Sequence, residues 1–194
     1  MSTDFVLTDF DTSNYKLIWS PDNERAAIRD GNRSVIIRTN ECKINFGFKD
    51  SGKNLTMMII EGTSNAFIGI FNKINLTLQE LAPEHPISGF IKHNETENSI
   101  AVLAKIPIDE KRRVLIDVYR EDGKQINDRG KPTLTIEDLR NKYRLHPGTA
   151  RSTIQISGLS LFQGNYYVNI FVLDFTICSR PINEDDVVDI RNWL

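Results

Sequence analysis

Cations and aromatic rings interleave in three parts of this chain. Lys43, Phe46, Phe48, Lys49 and Lys53 share one strand-like segment and the turn after it. Lys105, Lys111, Arg112, Arg113 and Tyr119 follow further on, and Arg144 and Arg151 flank the approach to Phe162, Tyr166 and Tyr167. The chemistry open to such a set is noncovalent: cations meet phosphates, and rings offer flat faces on which any base can stack. On this reading Lys43, Lys49, Lys53, Arg112, Arg113, Arg144 and Arg151 are the candidate phosphate contacts. Phe46, Phe48, Tyr119, Tyr166 and Tyr167 are the candidate stacking rings. The same pattern also describes ordinary alternating strands, with solvated Lys and Arg on one side and core rings on the other.

Reactive constellations are missing. The chain has no phosphate-binding Gly-x-x-x-x-Gly-Lys-Ser/Thr loop, no Gly-x-Gly-x-x-Gly and no Gly-x-Ser-x-Gly elbow. "SGKN" at 51–54 has the wrong glycine spacing and reads as a plain turn. His85, His93 and His146 form no metal-ligand pattern, and Cys42 and Cys178 are not a Cys-x-x-Cys pair. Asp109-Glu110 and Glu137-Asp138 sit where turn or capping roles suffice. No catalytic residue, metal or cofactor is expected, and the cysteines are expected as buried free thiols rather than a disulfide.

With 194 residues, 40% of them hydrophobic, the chain supports one substantial core. A net charge of −2 and a pI near 5.9 exclude a global basic field. Charge is nevertheless uneven. Residues 103–151 hold twelve Lys/Arg against eight Asp/Glu, and 184–194 hold four acids against Arg191. That acidic end could lie across a cationic groove, carry Trp193-Leu194 to a partner, or simply fray. The opening residues lack the basic and apolar regions of a signal peptide, and no run is long enough to span a membrane, so a soluble intracellular protein is expected.

The elements that must position these residues follow from periodicity. Residues 1–33 read as an arm or edge strand. Segments 33–39, 42–48, 55–60, 100–106 and 113–119 read as strands. Phe67, Ile70, Phe71, Ile74, Leu78 and Leu81 recur at helical spacing, which predicts a packed helix over about 64–81 stopped by Pro83. Thr135 and Asp138 have capping-box spacing and predict a short helix over about 135–143. Residues 152–177 form a long hairpin around Gln163-Gly164-Asn165. Its second strand is apolar on both faces, as in a central strand, and Gly158 suggests a bend of the kind that curls a sheet. Seven or eight strands and two helices make an α+β, mainly antiparallel protein, either barrel or sandwich.

The order of "SVIIRTNECKINFGF", "NAFIGIFNKINLTLQELAPEH", "RVLIDVYREDGKQI" and "HPGTARSTIQISGLSLFQGNYYVNIFVLDFTI" resembles single-stranded DNA-binding proteins of large double-stranded DNA viruses, over about residues 33–178. The resemblance implies an OB-like barrel over 34–180 and non-sequence-specific binding of single-stranded DNA in viral replication or recombination. The place of work it implies is the host nucleus or a cytoplasmic replication site. Related podophage proteins end in an acidic, aromatic tail that docks replication proteins. Residues 181–194 are similar in kind and make Asp185, Asp186 and Trp193 the candidate partner contacts. Where the pattern has a tryptophan after the glycine, this chain has Leu159-Ser160-Leu161. A rival reading is a virion structural or assembly module, self-associating through its termini; a small enzyme ranks last.

Overall fold

Period-two alternation runs through most of the chain, and most of the chain is strand. The computed structural model describes residues 11–50, 54–62, 66–88, 91–94, 99–143, 145 and 148–178; side chains at 45–50, 55, 57–58, 60–62, 66–68, 93–94 and 99–100 lie outside the description. Five strands come first: β1 (Tyr15–Trp19), β2 (Arg25–Asp30), β3 (Arg33–Arg38), β4 (Cys42–Asp50) and β5 (Asn54–Gly62). Helix α1 (Ala66–Leu81) follows, then β6 (Ile87–Ser88), β7 (Ile91–Asn94) and β8 (Ser99–Pro107). After β9 (Asp117–Arg120) and β10 (Gln125–Asn127) come a short helix (Asp138–Lys142), β11 (Gly148–Phe162) and β12 (Asn165–Cys178). The strands outnumber the expected seven or eight because β1 and β2 pair fully and β6, β7 and β10 are short additions.

All of these strands join one sheet, and part of it closes on itself. β4 pairs with β5, β5 with β8, β8 with β12, β12 with β11, and β11 returns to β4. Only β8–β12 is parallel in this ring. Five strands closed in the order first, second, third, fifth, fourth make an OB-like barrel, and closure removes the free edges an open sheet would expose.

The long hairpin is the backbone of the ring. Gln163 (φ 49°) and Gly164 (φ 79°) both take left-handed conformations at its tip, as a two-residue turn matched to strand twist requires. β11 then changes partner along its length, from β4 to β3 to β2. The last change happens at Gly158, beside a register shift. A Cβ placed there would stand 2.0 Å from the Ala26 carbonyl oxygen, so only glycine lets β2 cross this closely.

Inward side chains build one core. Ile44, Ile59, Val102, Ala104, Ile106, Ile154, Ile156, Ile170, Val172 and Phe175 fill it from the barrel. Helix α1 adds Ile70, Phe71, Ile74 and Leu78, the expected stripe. Leu81, expected on that stripe, is 38% exposed because the helix ends there, past the core. Of the two readings for residues 1–33, arm or edge strand, the described part from residue 11 onward takes the second. β1 is an edge strand of the sheet, and Tyr15, Ala26 and Ile28 belong to the core.

Local polar devices hold the connections. Thr135 N–H donates to Asp138 Oδ2 (2.9 Å) and Asp138 N–H returns to Thr135 Oγ1 (3.1 Å), the reciprocal capping box. These bonds to Thr135 hold the Asp138 carboxyl below the usual range. The helix is wound wider than expected, with Tyr143 N–H donating to the Asp138 carbonyl. Buried Asn127 donates to the Val114 and Ile116 carbonyls and accepts from Thr133 and Leu134 N–H, tying 127–134 to the strand end. Cys42 and Cys178 are buried free thiols on opposite sides of β11.

Candidate nucleic-acid interface

Strand residues alternate in and out of the barrel, so the buried positions identify the outer ones. On β11 and β12 the inner series contains Ile154, Ile156, Ile170 and Val172; Gln155, Asn169 and Phe171 therefore face outward. Cross-strand register continues this outer series. Ile36, Gln155, Phe171, Lys105 and Thr56 form one row across β3, β11, β12, β8 and β5, and none of them is buried. A second row, Arg25, Ser160, Tyr167 and Ser88, lies nearer the hairpin tip.

The centre of this face combines a cation, a ring and an amide. Lys105 Nζ donates to Asn169 Oδ1 at 2.7 Å and stands 5.7 Å from the Phe171 ring centroid. Asn169 is held in turn, since its Nδ2 donates to Ser160 Oγ and its carbonyl accepts from Ser157 Oγ. Lys105 has no carboxylate partner among the described residues, and partial burial lowers its pKa. An ammonium held only by neutral groups keeps its attraction for an incoming phosphate. At the tip, Phe162 and Tyr167 are 61% and 44% exposed, with ring centroids 6.2 Å apart.

The expected residues divide around this centre. Tyr167 stands on the face, whereas Tyr166 does not. Tyr166 is 4% exposed, packs edge-on against Trp19 and His85, and donates its hydroxyl to the Asn23 carbonyl. It is a core anchor, not a stacking ring. Consecutive strand residues point to opposite faces, so Tyr166 and Tyr167 could never both stack on one ligand.

Arg151 and Tyr119 come together at the hairpin base, on either side of Thr176. Arg151 faces Glu121 at 3.5 Å and lies against the Cys178 thiol, whose pKa burial raises. Lys43 is exposed next door, where it pairs in register with Thr149; the Thr149 hydroxyl donates to Glu41. The base is therefore a mixed-charge surface. Arg113 is spent on its own turn: Nε and Nη2 reach Asp109 Oδ2 at 2.7 and 2.6 Å and hold that carboxyl below its usual range. Arg112 occupies the same turn with φ 60°. Phe46, Phe48 and Lys49 lie on β4 with their side chains outside the description, and Lys53, Arg144 and the tail residues Asp185, Asp186 and Trp193 are outside it altogether.

Phe171 and Asn169 were not legible as site residues, because β12 reads as apolar on both faces. Asn169 was the available signal. One amide amid apolar neighbours sets the outward phase of the strand, and Phe171 shares it. Lys105 belonged to the interleaved set without being assigned to phosphate.

The fold has known counterparts. A C-terminally truncated single-stranded DNA-binding protein from bacteriophage Enc34 matches 86% of this chain and 97% of its own, at a TM-score of 0.52 and 12% identity. The Enc34 protein in complex with single-stranded DNA matches 89% and 99%, at 0.52 and 11%. The single-stranded DNA-binding protein gp2.5 encoded by bacteriophage T7 aligns over 79% of this chain at a TM-score of 0.46 and 10% identity. No protein-family model and no curated protein matches the chain. The two Enc34 counterparts are phage proteins and do not bear on the large double-stranded DNA viruses of the sequence resemblance. What the two Enc34 structures share with this chain is the OB-like fold over nearly its whole length.

Proposed function

We propose that this protein binds single-stranded DNA without sequence preference, along the outer face of β5, β8, β12 and β11, in viral DNA replication or recombination. The observation that carries the proposal is Lys105, without a carboxylate partner among the described residues, standing over Phe171 in a row that continues to neighbouring strands. OB barrels hold oligonucleotides on the face of their second and third strands and on the loops beside them, which here are β5, β8 and the hairpin tip. One fold counterpart was solved in complex with single-stranded DNA. The rings give sequence-tolerant stacking and the cations meet the backbone, so the role is binding rather than catalysis. Residues 181–194 serve as a recruiting or competing tail through Asp185, Asp186 and Trp193.

Fluorescence anisotropy with labelled oligo-dT tests the proposal. Binding should be tight at low salt and weaken steeply as salt rises, because each neutralised phosphate releases counterions. Truncation after Cys178 should strengthen it. Absence of binding at low salt by both the full chain and the truncated form would end this reading.

A further inference from the structure

We propose that the β1–β2–β3 lobe is a second DNA-contact surface that lengthens the single-stranded track beyond the barrel. The inference rests on the single-stranded DNA reading above and extends it to strands outside the five-stranded ring. Strands β1, β2, β3, β8, β11 and β12 carry Lys16, Arg25, Arg29, Arg33, Arg38, Lys105 and Arg151; their only acids are Asp30 and Asp174. A protein of net charge −2 thus concentrates positive charge on these six strands.

Arg33 is the cross-strand partner of Asp30 and Arg25 acts on Asp22, but the remaining lobe cations have no acid partner among the described residues. Among the described residues Lys16 reaches the Asn32 amide oxygen (3.5 Å) and Arg29 the Ser34 hydroxyl (3.0 Å), neither of them a carboxylate. Arg25 and Arg38 likewise make no ion pair among the described residues, and both are exposed. Lys16 and Arg29 are cross-strand neighbours, so two like charges sit side by side. Like charges in register destabilise a strand pair, and a polyanion relieves that repulsion.

Register makes this surface continuous with the first. Ile36 is joined through Gln155 to Phe171, and Ile18 through Ala27 and Gly158 to Asn169. The close crossing at Gly158 leaves no side chain as a ridge between lobe and barrel. Ile18 and Ile36 are 52% and 50% exposed, apolar surface among cations where sugars and bases can rest. From β11 to β1 the face gains about 14 Å at roughly 4.8 Å per strand, which is room for a few nucleotides. A second copy of the chain is a poorer occupant, since it would set one basic face against another.

The test compares a short and a long oligonucleotide. The triple variant Lys16→Gln, Arg29→Gln, Arg38→Gln changes exposed or half-exposed side chains, and a melting temperature no lower than that of the unsubstituted protein will verify its fold. Its affinity for dT30 should fall about tenfold, and its log affinity–log salt slope should become shallower by about 2, at roughly 0.7 per lost phosphate contact. Its affinity for dT8, which fits on the barrel rings, should stay within about twofold. Unchanged dT30 binding, or equal losses for dT8 and dT30, overturns the extension while leaving the barrel site standing. If the unsubstituted protein binds neither oligonucleotide, the underlying reading fails instead.

Discussion

Lys105 on β8 and Arg151 on β11 both stand on the outer face of the sheet, and they have opposite surroundings. Lys105 meets an amide, a ring and no carboxylate among the described residues. Arg151 meets Glu121 and a buried thiol, with Glu41 close enough to act on it electrostatically. A cation already facing acids has little net attraction left for phosphate, whereas one held by neutral groups has most of it. The difference teaches that cations counted along a chain are not equivalent. The mid-hairpin face is available to a polyanion, and the base is largely self-neutralised.

The most damaging change to this contrast removes the frame both regions share. Gly158→Ala forces a methyl into the Ala26 carbonyl and should cost about 3 kcal/mol or more, read as a lowered urea midpoint. A neutral result would mean that lobe and barrel are not packed as described. Phe171→Ala comes next. Loss of one stacking ring should weaken oligo-dT binding by about tenfold to a hundredfold, and an unchanged anisotropy titration would move the site elsewhere.

Lys105→Met sharpens the contrast, because binding and stability should part company. Oligo-dT affinity should fall by about tenfold, while the melting temperature at pH 7 should hold or rise. Burial depresses the pKa of Lys105, so its charged form is disfavoured in the folded state. That penalty is fully present at neutral pH and is relieved as pH rises through the folded pKa toward 10.5. Its contribution to DNA binding should therefore fade below the pH at which an ordinary lysine deprotonates. Lys105→Arg should abolish that early fade. Smallest of all, Arg151→Gln at the base should change affinity by less than about threefold; a tenfold loss there would reverse the comparison.

Much of the fold could be read without coordinates. The α1 stripe, the 163–164 turn, the Thr135–Asp138 box and the bend at Gly158 are local signals, each set by residues within a few positions of one another. Tyr166 and Arg113 were misread because their partners are remote or conformational. Asn23 and Trp19 come to Tyr166 from β1 and the turn after it, and Asp109 takes Arg113 only once the turn has closed. Residues 1–33 left arm and edge strand open because β1 and β2 look polar alone. Their burial depends on β11 reaching back across the chain.

By itself, the sequence determined that the chain is β-rich, that the hairpin is its longest ordered element, and that cations and rings interleave on strands. Those properties follow from side-chain period and turn chemistry, which are local. Only the tertiary structure decided which cations keep their charge available. That depends on ring closure, on the register of strands far apart in sequence, and on which side of β12 the core occupies.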